Sequence, residues 1–219
     1  MDVREYSFRG VAFKIACLHR YAQDASWFSH EDESIVRDRD WHIGPGDVVI
    51  DIGSAFGSYS LTALASGASH VVCFNPNQEE NGFVRESLRL NGWEDRATIY
   101  STGLYSKSGW LRDTDQTFSE IAQEGFFEVK ALDDVGISFP GDLTGTPWMK
   151  IDVEGGEVHV LQGARGVINK YRPNMLIENH QFIDHTLEQR VVDFLVDFDY
   201  KFVHCVPHHG VSHSLLVPR

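Results

Sequence analysis

Val48-Val49-Ile50-Asp51-Ile52-Gly53-Ser54-Ala55-Phe56-Gly57-Ser58-Tyr59 is the stretch that decides the reading of this chain. A β-branched run lies between the turn cluster Gly44-Pro45-Gly46-Asp47 and Gly53. That pattern predicts a parallel strand buried on both faces. Asp51, Gly53 and Gly57 make D-x-G-x-x-x-G between a strand and a helix. A chain that bends sharply where a ligand touches backbone has a use for glycine at both ends of the bend. A helix starting at Ser58 then offers free N–H groups to ligand oxygens. The plainer alternative is a glycine turn serving only strand–helix packing.

Working outward, strands are expected at 11–18, 48–53, 70–74, 98–102, 148–153 and 173–178, and an antiparallel pair at 201–206 and 213–217. Helices are expected at 58–66, 79–90, 156–169 and 186–198, and a short helix or turn at 34–41. Segments 110–112 and 126–129 read as a hairpin, and 138–147 as a loop. The β-α-β-α-β order implies a parallel sheet with right-handed crossovers. The fold class is therefore α/β, a Rossmann-like arrangement with a mostly parallel sheet and helices on both faces. Residues 1–45 read as an N-terminal cap and 46–215 as the main domain. Leu216-Val217-Pro218-Arg219 match the remnant of a thrombin-cleaved linker and are set aside.

The loop lacks the middle glycine of the dinucleotide fingerprint, Ala55 standing there, and has no P-loop lysine. S-adenosylmethionine has no phosphate but carries a carboxylate, an ammonium and a sulfonium. One acid at the strand end, Asp51, suits such a cation better than a pyrophosphate. The candidate cofactor residues are Asp51, Gly53, Ser54, Phe56, Gly57, Ser58 and Tyr59 of the loop and helix start. Asn75, Pro76 and Asn77 follow the second strand, and Thr102 and Gly103 the third. Asn75 stands about 20 residues past the loop, where a ribose contact is expected. Its amide can accept one bond and donate another, or it can simply turn the chain before Pro76.

Lys150-Ile151-Asp152-Val153-Glu154-Gly155-Gly156-Glu157 ends a strand and starts a helix, and Ile177-Glu178-Asn179-His180 ends the next strand. Ligands of open α/β sheets bind at that edge. Asp152 and His180 are candidate general bases. Asp152 with Glu154 and Glu157 is a candidate Mg²⁺ site. Glu154 and Glu157 can instead complement the helix dipole, and His180 can be structural.

On these residues, with Leu90-Asn91, Ala131-Leu132-Asp133-Asp134, Leu161-Gln162-Gly163-Ala164 and Arg172-Pro173, the chain resembles the FkbM family of S-adenosylmethionine-dependent methyltransferases over residues 46–181. The resemblance implies a class I methyltransferase fold, seven strands with the last antiparallel, and O-methylation of hydroxyls on sugars, glycans or secondary metabolites. The chain departs from the family at Asn75, where the family has Glu, and at Phe56, where it has Asn.

The formal net charge of −13 disfavours a nucleic-acid partner. A small-molecule or glycan acceptor is expected instead. No apolar run reaches the ~20 residues of a membrane span and no secretory signal is evident. Cys17, Cys73 and Cys205 are scattered, so neither a disulfide framework nor a zinc site is expected. A cytoplasmic location follows. Trp27, Phe28, Trp41 and Trp110 can stack on a sugar ring or fill the core. An amine N-methyltransferase, a non-catalytic adenosine-nucleotide binder and, against Ala55, an NAD-dependent oxidoreductase are the alternatives. Oligomeric state is not legible.

Overall fold

The structure is a computed structural model that describes residues 1–17, 37, 39–112, 118–119, 126–137, 144–208 and 211–219. A hairpin opens the chain, β1 (Asp2–Phe8) with β2 (Val11–Cys17). The loop 9–10 turns through positive φ at Arg9 and Gly10. The main sheet takes β3 (Val48–Ile52), β4 (His70–Phe74), β5 (Ala97–Tyr100), β10 (Pro147–Ile151), β11 (Asn174–Asn179), β12 (Tyr200–His208) and β13 (Val211–Pro218). Its order is β12-β13-β11-β10-β3-β4-β5. The five strands from β11 to β5 are parallel, and β13 runs antiparallel between β11 and β12. This is the class I methyltransferase architecture expected from the sequence.

Between β5 and β10 lies a small sheet of β6 (Gly103–Leu104), β7 (Gly109–Arg112), β8 (Phe118–Ser119) and β9 (Phe126–Lys130), in the order β6-β9-β7-β8. The expected pairing of 110–112 with 126–129 is present, Trp110 opposite Glu128. The α-helices that lie wholly within the described residues are α1 (Ser58–Ala65), α2 (Gln78–Asn91), α3 (Leu132–Val135), α4 (Glu157–Gly163), α5 (Arg165–Tyr171) and α6 (Leu187–Val196), and residues 37 and 39–40 are also helical.

Side chains of a strand alternate between faces, and both faces here are apolar. Ile50, Ile52, Met149, Ile151, Met175 and Ile177 face a core shared with α4, α5 and α6. Val49, Trp148 and Leu176 face the other core, shared with α1, α2 and the β1–β2 hairpin. The same alternation sends Asp51 and Lys150, register partners, toward α1.

Three readings need correction. The helix expected over 156–169 is two, α4 and α5, meeting at Ala164. At Gly163 a Cβ would stand 2.1 Å from the Tyr105 carbonyl, so the chain packs closely there against the small sheet. The N-terminal segment carries a strand that was missed, β1, and the hairpin belongs to the main core. Phe13 and Ile15 are buried, and Ala16 N–H donates to Ser87 Oγ on α2 at 2.9 Å. Residues 216–218 lie inside β13, with Leu216 fully buried opposite Met175, so setting them aside as a remnant fails as a statement about the fold. Trp27, Phe28, residues 34–36 and 38 of the 34–41 segment and most of the 138–147 loop lie outside the described residues.

Candidate active site

The carboxyl ends of β3, β10 and β11 lie side by side, which brings residues 53–57, 152–157 and 178–180 to one edge. A cavity of about 420 Å³ opens there, within the usual ~300–1,000 Å³ of small-molecule sites. Gly53, Ala55, Asn75, Pro76, Gly103, Asp152 and Glu154 line it, with apolar walls from Phe74, Leu111 and Phe127. Ile52, Leu104, Val153 and Gly156 complete the walls beside Glu80. Of the cofactor residues expected from sequence, Gly53, Asn75, Pro76 and Gly103 reach this cavity.

The others have different surroundings. Asp51 is buried, and its Oδ2 accepts from Ser60 N–H at 3.1 Å and from Ser60 Oγ at 2.6 Å. It ties β3 to α1, and burial raises its pKa against these bonds and the nearby Lys150 charge. Gly57 caps α1 at φ +82°. Ser58 is buried in that helix's first turn, and its carbonyl accepts from Thr62 Oγ1 at 2.9 Å. Tyr59 receives the edge of Trp41 at 5.3 Å and the Lys150 ammonium at 4.8 Å. Trp41 is thus core. Phe56 packs at 5.8 Å on Phe83, Asn77 caps α2, and Thr102 Oγ1 donates to Glu128 O at 3.1 Å.

Gly53 is required by a contact within the protein. At φ +81° a Cβ would lie 1.7 Å from the Asp152 carbonyl oxygen. The bend lets β3 and β10 end shoulder to shoulder. Ser54 Oγ, in the same bend, is buried with no hydrogen-bond partner among the described residues. A buried hydroxyl left open at a loop fits a polar ligand. The apolar walls of the cavity and its acids Glu80, Asp152 and Glu154 suit a cationic nucleoside.

Behind Asp152 lies a charge cluster. Lys150, fully buried, has its Nζ 3.6 Å from Asp152 Oδ2 and 3.5 Å from Glu178 Oε2. Glu178 also accepts from or pairs with His213 Nε2 at 3.0 Å. His180 Nδ1 lies 2.8 Å from Glu157 Oε1, and its Nε2 lies 3.3 Å from Glu154 and 3.7 Å from Asp152. Burial disfavours charge on His180. The bond to Glu157 and the charges of Asp152, Glu154 and Glu157 outweigh it and raise the pKa to about 9. Burial likewise disfavours charge on Glu178, but Lys150, His213 and His180 prevail and lower its pKa.

The raised pKa favours the protonated form of His180, which is buried behind Asp152 with Nδ1 against Glu157. Asp152, 30% exposed, is the member of the pair that lines the cavity. The three ligand-type side chains that converge are Asp152, Glu178 and His180, a different set from Asp152, Glu154 and Glu157. The buried Lys150 ammonium already stands 3.6 Å from Asp152 and 3.5 Å from Glu178, where it competes with any cation for those two carboxylates, so nothing in the arrangement singles out Mg²⁺. Lys150, Glu178 and Glu80 were missed as single residues. Lys150 and Glu178 stand within motifs that were read, but only strand adjacency brings them together.

The Methyltransferase FkbM domain model matches residues 51–202. No curated protein matches the chain. Among solved structures, an FkbM methyltransferase from Methylobacillus flagellatus KT superposes with a TM-score of 0.58 at 16% identity. That alignment covers 91% of this chain and 56% of that one, so the chain spans little more than half of this relative's length. A conserved hypothetical protein of Streptococcus pyogenes superposes at 0.53 with 9% identity, over 86% of this chain and 95% of that one. These likenesses concern the fold. No helix among the described residues is long and apolar enough to cross a membrane. With a family match over more than two thirds of its length, a sheet of the class I order and a cavity at that sheet's carboxyl edge, the chain belongs to the FkbM methyltransferase family, whose membership implies S-adenosylmethionine as methyl donor.

Proposed function

We propose that this chain binds S-adenosylmethionine in the cavity between Gly53, Asn75 and Asp152 and methylates a hydroxyl of a sugar, glycan or secondary metabolite. The observation that carries the reading is Asp152, a carboxylate at the cavity wall held by two buried cations. When bound, the cofactor supplies an electrophilic methyl group on a sulfonium. Asp152 accepts the proton of the acceptor hydroxyl. Lys150 and imidazolium His180 hold that carboxylate at a fixed place, and Glu157 holds His180. Leu111 and Phe127 keep water from the apolar side of the cavity. Orientation of acceptor and methyl in line adds to the rate, up to ~7–11 kcal/mol in ideal cases. The free thiols of Cys17, Cys73 and Cys205 accord with a reducing, cytoplasmic setting.

Calorimetry and a methyl-transfer assay test this together. S-adenosylhomocysteine is expected to bind, and NAD and ATP are not. Asp152→Asn should lower turnover on a hydroxyl acceptor by about 10²–10⁴-fold while leaving S-adenosylhomocysteine affinity nearly unchanged. Turnover at the wild-type rate in Asp152→Asn removes the proposed base. Transfer to amines alone would favour the N-methylating alternative.

A further inference from the structure

In nucleotide-binding α/β sheets, an acid at the end of the second strand accepts bonds from the ribose hydroxyls. Here that residue is Asn75, whose side chain is already committed. Its Nδ2 donates to Glu80 Oε2 at 2.8 Å and to Ala55 O at 3.3 Å, and its Oδ1 accepts from Asn77 N–H at 3.1 Å. The last bond matters for Glu80. Asn77 is the N-cap of α2, and its side chain accepts from Glu79 N–H and Glu80 N–H. Glu80 is thus the third helical residue. A glutamate there ordinarily folds back onto the N–H of the cap residue. That N–H belongs to Asn75 Oδ1 instead, so the Glu80 carboxylate turns outward and lines the cavity.

We infer that Glu80, on α2, supplies the ribose-binding carboxylate that the second strand lacks, with Asn75 as the residue that positions it. The inference rests on the proposed cofactor site and names one subsite of it. Oε2 is fixed by Asn75 Nδ2, and the carboxylate can accept from two vicinal hydroxyls at once, as a carboxylate's acceptor capacity allows. The ligand chemistry is a ribose with both hydroxyls free, so a ribose lacking them should be discriminated against.

The test is calorimetric titration with S-adenosylhomocysteine and with its 2′,3′-dideoxyribose analogue. Wild-type protein is expected to prefer the ribose form by about 10- to 100-fold, the scale of charge-assisted hydrogen bonds. Glu80→Gln should lose most of that preference. Glu79→Gln, one residue earlier and exposed, should keep it. A ratio in Glu80→Gln equal to that of the wild type, or an equal loss in both variants, overturns the role of Glu80 and leaves the cofactor reading standing. Wild-type protein that binds neither compound overturns both.

Discussion

His180 is the residue whose ionisation the fold decides. Four carboxylates surround its ring within 3.8 Å, and Glu157 holds Nδ1. A free histidine titrates near 6.5, but in the fold the pKa is raised to about 9. The linkage has a definite sign. The stabilisation is complete below about pH 6.5, where both folded and unfolded forms carry the proton, and it disappears as pH rises through about 9. The melting temperature of the wild-type protein should therefore fall between pH 6.5 and 9 more steeply than that of Glu157→Gln, in which a charge facing the ring is gone. Each kcal/mol lost corresponds to about 2–4 °C for a chain of this size. Parallel melting curves against pH in the two proteins would contradict the assignment. Residue type alone suggested a base here. The neighbours that raise its pKa come from two segments, 152–157 and 178, and it is the pairing of adjacent strands that brings the first of them to the ring.

At the scale of elements, the bend from β3 to α1 was legible and its reason was not. Gly53 and Gly57 stood out because a D-x-G-x-x-x-G turn needs them. The backbone of β10 passes so close that a Cβ at residue 53 would lie 1.7 Å from the Asp152 carbonyl oxygen. Positive φ adds its own strain for any L side chain. Gly53→Ala should thus destabilise by at least ~3 kcal/mol, seen as a lower denaturation midpoint or a failure to fold. A variant within 1 °C of wild type would show that β10 yields easily. Asp51, read from the sequence as a ligand group, instead binds the backbone and hydroxyl of Ser60. The alternation of the strand aims it at α1, away from the cavity. The elements themselves were largely readable, since runs such as 48–52 and 70–74 are apolar at four of five positions and are bounded by turn residues. The break at Ala164 was not, because it follows from contact with the small sheet.

At the scale of the whole molecule, the edge of the sheet depends on its last strand. β13 lies between β11 and β12, hydrogen-bonded to both, and closes the core with Leu216. Leu216→Ala should cost about 2–5 kcal/mol, as other buried leucines do, and deletion of 216–219 should lower the melting temperature as well. A deletion with no effect would mean that these residues add nothing to the fold. An appended remnant and a native strand end can share the same four letters, and their composition does not separate them.

Apolar periodicity, β-branched runs and glycine-bounded turns are local properties. Because a strand repeats every two residues and a helix every 3.6, they were enough for the α/β class, the parallel core and the position of the binding edge. Charge and acceptor geometry are not local. Glu178 and His180 have their ionisation shifted by Lys150, Asp152 and other charges on neighbouring strands, and Glu80 is turned into the cavity by a bond made at the end of another element. Those outcomes depend on distances of a few ångströms between residues far apart along the chain, and only the packed sheet sets them.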